Sequence, residues 1–139
     1  MNEEILKKWV GGVCIKEGSV LLIHRVNKKQ VFNPEYFIFP GEMVGEDQSL
    51  EQALLDEFKK LGTVVAIGEL LYEQSDDETT EYYYACHHEF GEINLETREY
   101  EEDGHLQKFT PVWVRLEDLD DLIVYPETLK EEIVSQNAE

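Results

Sequence analysis

The chain has 139 residues, enough for one hydrophobic core and too few for two large ones, so a single domain over residues 1–139 is expected. It carries 31 acidic against 12 basic residues and a formal net charge of −19, a field that repels nucleic acid and draws divalent cations and basic partners. No apolar run approaches a membrane span, and the start MNEEILKKWV has charge on both sides of a short apolar patch, unlike a signal-peptide core. The expectation is a cytoplasmic domain with no nucleic-acid and no membrane partner.

In chain order, residues 9–16 and 19–26 are two β-rich runs about the turn Glu17-Gly18 and predict a hairpin. Residues 27–34 are polar, end in Asn-Pro and predict a loop; 36–39 form a short apolar strand stopped by Pro40-Gly41. Ser49 with Gln52 makes a capping-box pattern, and Leu50, Leu54, Phe58 and Leu61 follow at helical spacing until Gly62. Residues 63–74 and 79–90 predict strands about the acidic turn 75–78. Residues 91–107 are polar and charged and predict a long loop, with some strand at its start. Residues 109–116 predict a strand with Pro111 near its start or edge, 117–122 an acidic helix or turn, and 126–136 a terminal helix. One helix amid a mixed β-sheet indicates α+β or α/β/α sandwich architecture.

Cys14 and Cys86 each lie inside a strand-like run with no C-x-x-C spacing, which reads as two buried reduced thiols rather than a disulfide. His87 and His88 are adjacent on a predicted strand and point to opposite faces, so they do not share a metal. Tyr82, Tyr83 and Tyr84 alternate in the same way and read as sheet packing before base stacking. Arg25, at the end of the second strand, is suited either to grip a phosphate bidentately or to a structural ion pair.

The order of elements, together with FPGEMVGEDQSLEQALLDEF in the middle and PVWVRLEDLDDL near the end, resembles the Nudix family over nearly the whole chain. That resemblance implies a Nudix-like α/β/α sandwich with a mixed β-sheet. It also implies hydrolysis of a nucleoside diphosphate linked to another moiety, with Mg²⁺ or Mn²⁺ held by glutamates of the signature G-x5-E-x7-R-E-U-x-E-E-x-G-U (U aliphatic). Aligned without gaps through Glu51-Gln52-Ala53, the signature keeps Glu57, but Glu42, Gln48 and Asp56 replace its first glycine, first glutamate and arginine. Its glutamate pair becomes Lys60 and Leu61, and its last glycine Thr63. Shifted back by one, it recovers Gly41, Asp47, Asp56 and Gly62 but puts Leu55 at the arginine, Glu57 at the aliphatic position and Lys59 and Lys60 at the pair. In both registers the pair is lost.

A lysine cannot ligate Mg²⁺, a hard cation that takes oxygen donors, and its charge opposes the metal. By resemblance, Glu57 is the remaining catalytic and metal carboxylate, and Glu99, Glu101 or Glu102 is available as a further metal-binding or base glutamate; among the loop acids Glu42, Glu46, Asp47 and Glu51, Glu46 and Asp47 are the first choice as added ligands. Arg25, Gly41 and Lys60 are the substrate contacts, Lys60 holding a phosphate directly where a metal would stand. The competing reading is a solvated acidic surface with Lys60 paired along the helix to Asp56 or Glu57. Expected partners are a nucleotide-type small molecule and, from the family, a second copy in a homodimer. The cofactor is Mg²⁺ or Mn²⁺ if the site turns over, and none otherwise. Weak or lost metal-dependent hydrolysis is therefore expected, against a non-catalytic nucleotide-binding, regulatory or protein-interaction module on the same fold.

Overall fold

Glu17 and Gly18 both have positive φ, 52° and 80°, the two left-handed positions that a two-residue hairpin loop needs. In the computed structural model, which describes residues 7–29 and 35–137, this turn joins β1 (Lys7–Lys16) to β2 (Ser19–Asn27). Residues 30–34 of the expected loop 27–34 lie outside the described residues. The two strands pair only beside the turn, Ile15 with Val20 and Lys16 with Ser19. The rest of β1 takes other partners, and residues 10–14 are buried without alternation, as a strand covered on both faces must be.

The chain divides into two compact units, Met1–Cys14 with Pro40–Glu92 and Ile15–Phe39 with Ile93–Glu139. In the first unit β1 lies between β4 (Gly41–Met43), antiparallel to it, and β6 (Thr79–Gly91), parallel to it. The sheet is mixed, as the sequence predicts, but β4 was not foreseen because the expected strand ends at Pro40-Gly41. β5 (Thr63–Ser75) pairs antiparallel with β6, with register shifts between Val64 and Val65, Ile67 and Leu70, and Leu70 and Tyr72. α1 (Leu50–Lys60) opens on the predicted capping box, the Ser49 hydroxyl accepting from the Gln52 amide and the Gln52 side chain from the Ser49 amide. It closes where Gly62 turns to φ 95°, and it buries Ala53, Leu54 and Phe58 completely.

In the second unit β2 is flanked by β3 (Glu35–Ile38) and β8 (His105–Arg115), both antiparallel. Within 91–107 the strand lies near the end rather than the start. β7 (Arg98–Glu102) forms a hairpin with β8 through Asp103 and Gly104, at φ 51° and 77°. The Asp-Gly dipeptide was the signal for that turn, and the density of acidic residues hid it. Pro111 is buried within β8, beyond the last β7 pair at Arg98 and Phe109, so among the described residues only β2 flanks the strand there. A 3₁₀ helix (Leu116–Asp121), β9 (Val124–Tyr125) and α2 (Glu127–Gln136) complete the unit. Its core holds Leu21, Leu22, Leu119, Val124 and Leu129. Among the described residues no helix is long and apolar enough to cross a membrane.

Gly12 leaves the space that α1 fills: a Cβ there would stand 2.6 Å from Cε2 of Phe58 and 2.8 Å from Sγ of Cys86. Gly12→Ala is expected to lower stability by about 1–3 kcal/mol through overpacking. The urea midpoint should fall with the slope unchanged, and a variant as stable as the parent would show that ring and thiol move aside freely.

Candidate functional site

The segment from Pro40 to Gly62 is held at both ends by glycines that nothing larger replaces easily. A Cβ on Gly41 would lie 2.5 Å from the Val10 carbonyl oxygen and 2.9 Å from the Trp9 ring. Gly62 has the positive φ of a helix C′ residue. Between them the loop is strapped to α1 by Gln48, whose Oε1 accepts from the Gly45 amide at 2.9 Å and whose Nε2 donates to Asp56 Oδ2 at 3.1 Å.

β4 sets Glu42 opposite Val10, with its side chain 19% exposed, and the last turn of α1 brings Lys60 to it. Lys60 Nζ donates to Glu42 Oε1 at 2.9 Å. That hydrogen bond, the charge of Glu42 and the more distant charges of Glu57 and Asp56 hold the ammonium above the ordinary lysine range. The last turn of α1 thus carries a lysine hydrogen-bonded to Glu42, with the charges of Glu57 and Asp56 acting on it less strongly. Glu42 is one of the loop acids the sequence offers as a ligand, and its carboxylate is here taken up by Lys60. Lys60 does pair with an acid, as the plainer reading had it, but the hydrogen-bonded partner is Glu42 across the loop.

Glu46 and Asp47 are exposed in the loop before α1, while Glu57 is half-buried on the helix. Among the described residues no three His, Cys, Asp or Glu side chains converge to hold a metal, so the structure does not bring Glu57, Glu46 and Asp47 together as a ligand set. This arrangement does not fit a divalent ion in the place that Lys60 takes.

In the second unit Glu99 and Glu102 lie on β7, three residues apart and so on opposite faces. Glu99 is 3.6 Å from Lys108, and both carboxylates are solvent-exposed. Arg25 packs between rings. Its guanidinium carbon lies 4.0 Å from the centroid of Phe109 and 5.7 Å from that of Tyr36, and its Nη2 donates to Gln107 Oε1 at 3.4 Å. Gln107, fully buried, donates in turn to Asn27 at 2.7 Å. Nε of Arg25 is buried without a hydrogen-bond partner among the described residues. Among the described residues the contacts of Arg25 are thus stacking and an amide rather than an ion pair.

His87 is exposed, whereas His88 is half-buried with Nε2 2.7 Å from the Gly91 carbonyl oxygen. Tyr83 is buried and donates to Glu81 at 2.6 Å. Burial, more than that bond, pushes its phenol far above the usual tyrosine range.

No protein-family model matches the sequence, and no curated protein matches it. Solved structures do match in shape. The chain is similar to an ADP-ribose pyrophosphatase from Streptococcus suis 89-1591, with a TM-score of 0.65 and 15% identity over 97% of this chain and 93% of that one. It is similar to a MutT NUDIX hydrolase from Burkholderia pseudomallei, at 0.59 and 18% over 94% and 99%. It is also similar to the MutT protein from Methanosarcina mazei Go1, at 0.58 and 18% over the whole of both chains. At such identities the likeness is one of fold: the chain has the Nudix α/β/α sandwich with a mixed β-sheet.

Two outcomes follow from the contacts. Lys60, 60% exposed, should contribute less than about 1 kcal/mol through its ion pair. Because its pKa is raised, that contribution is complete below the ordinary lysine value of about 10.4 and is lost as pH rises past it. The stability gap between the parent and Lys60→Met should therefore be level from neutral pH to about pH 10 and close above it. Arg25→Lys should cost about 1 kcal/mol by removing the planar stack, and chemical denaturation of the two proteins measures it.

Proposed function

We propose that this is a Nudix-fold protein of the class that handles a nucleoside diphosphate linked to another moiety, with Mg²⁺- or Mn²⁺-dependent hydrolysis weak or lost. The observation that carries the reading is the Lys60–Glu42 pair at 2.9 Å. The two structurally required glycines, Gly41 and Gly62, favour the register in which Lys59 and Lys60 stand at the signature's glutamate pair, with Asp47 and Asp56 at two of its other acids. The ammonium then does by hydrogen bond and charge what a bound cation does for the carboxylates around it: it neutralises them. A divalent ion would have to displace it and would find fewer oxygen donors.

In the family a bound metal activates water and neutralises phosphate charge. Glu42 holds Lys60 there, and no step is assigned to it beyond that. A binding module that holds a nucleotide-type ligand without cleaving it is the second reading. It is favoured by the same pair, since an ammonium in the place of a cation is suited to hold a phosphate without activating water.

Purified protein should turn over nucleoside triphosphates, nucleotide sugars, dinucleoside polyphosphates and ADP-ribose only marginally with Mg²⁺ or Mn²⁺. The double substitution Lys59→Glu with Lys60→Glu should tighten Mn²⁺ binding about tenfold or more by calorimetry, because it restores carboxylates three and four residues after Asp56. Robust turnover by the parent that Glu57→Gln abolishes would refute the proposal. A nucleotide that raises the melting temperature without being cleaved would select the binding module.

A further inference from the structure

We propose that Cys14 and Cys86 form a buried dithiol that two-electron oxidants close to a disulfide, tying β1 to β6 next to the ring of Phe58. The two cysteines are register partners in the parallel β1–β6 ladder. Directly opposed residues of neighbouring strands point to the same face, with backbones about 4.8 Å apart, inside the Cα separation of roughly 4.4–6.8 Å that a disulfide spans. Neither is joined in a disulfide, and both are buried, at 0% and 2% exposure.

Gly12, two residues before Cys14 and so on the same face, supplies room: the Cβ it lacks would lie 2.8 Å from Cys86 Sγ and 2.6 Å from the Phe58 ring. The Cys86 thiol thus sits against the residue that anchors α1, the helix carrying Asp56, Glu57 and Lys60. Moving that sulfur into a bond with Cys14 alters the surface on which Phe58 rests.

The chemistry balances with a hydroperoxide or an azo oxidant. A hydroperoxide converts one thiol to a sulfenic acid and leaves as water or an alcohol. The second sulfur then attacks the first and expels water, with two S–H bonds lost and one S–S bond gained. Diamide takes up the same two electrons and two protons and becomes a hydrazine. Burial, and to a lesser degree the neighbouring Cys14, pushes the Cys86 thiol up to about 12. Thiolate is therefore scarce at neutral pH, and closure should quicken as pH rises.

The test uses the intact folded protein treated with diamide, then denatured and alkylated. The expected product is a monomer that takes up no alkylating agent, is lighter by two hydrogens, yields a peptide joining Cys14 to Cys86, and reopens with dithiothreitol. Amide exchange in residues 53–60 should differ about fivefold between the closed and open forms, a local rather than global change. In Cys14→Ala and Cys86→Ala oxidant should leave that exchange unchanged. If either variant fails to fold, the wild-type product still decides the matter. Full alkylation of both thiols after prolonged oxidant would overturn the proposal. So would disulfides solely between chains, or closure only in urea-unfolded protein; equal exchange in α1 would overturn the link to the helix.

Discussion

Close backbone approach in the first unit rests on three residues without side chains. Gly11 and Gly41 face each other across β1 and β4, and a Cβ on either would run into a carbonyl oxygen or an aromatic ring at 3.2 Å or less. Gly12 admits Phe58 and donates its amide to the Pro40 carbonyl oxygen at 2.9 Å. The short β4 lies against β1 because of this absence of bulk, and Glu42 reaches Lys60 because β4 lies there. A constraint on main-chain distance thus becomes a constraint on where charge is placed.

The charges so placed change the meaning of a familiar motif. In a helix–loop built to hold a hard divalent ion, carboxylates repel one another until the ion arrives, and apo stability is given up for metal affinity. Here the compensating cation is covalently part of the chain, so the loop and helix are satisfied without it. Gln48 adds to the effect: a neutral amide can accept from Gly45 and donate to Asp56 at once, which a glutamate cannot do.

The elements that could be read from sequence were those with local physical causes. Ser49 and Gln52 announced the start of α1, Gly62 its end, and Glu17-Gly18 a turn. Features set by partners distant in sequence were not legible: nothing in residues 9–16 says that β1 abandons β2 after two pairs for β6. β4 is three residues long, too short for any periodicity. In the site, the two lysines near the end of α1 were legible from Lys59 and Lys60 alone, whereas the partner of Lys60 depended on β4 and could not be named. Arg25 was picked out by its charge, but its enclosure by Phe109 and Tyr36 arises from cross-strand register, Arg25 opposite both.

β5 has β6 as its one strand partner among the described residues, which leaves its other side as a sheet edge. Its three register shifts break the even spacing of outward amide and carbonyl groups and increase local twist. A second chain attempting to extend the sheet would find no long regular row to pair with, and the −19 charge of each copy would resist its approach. Self-association by continuous strand addition is opposed at this edge by geometry and electrostatics together.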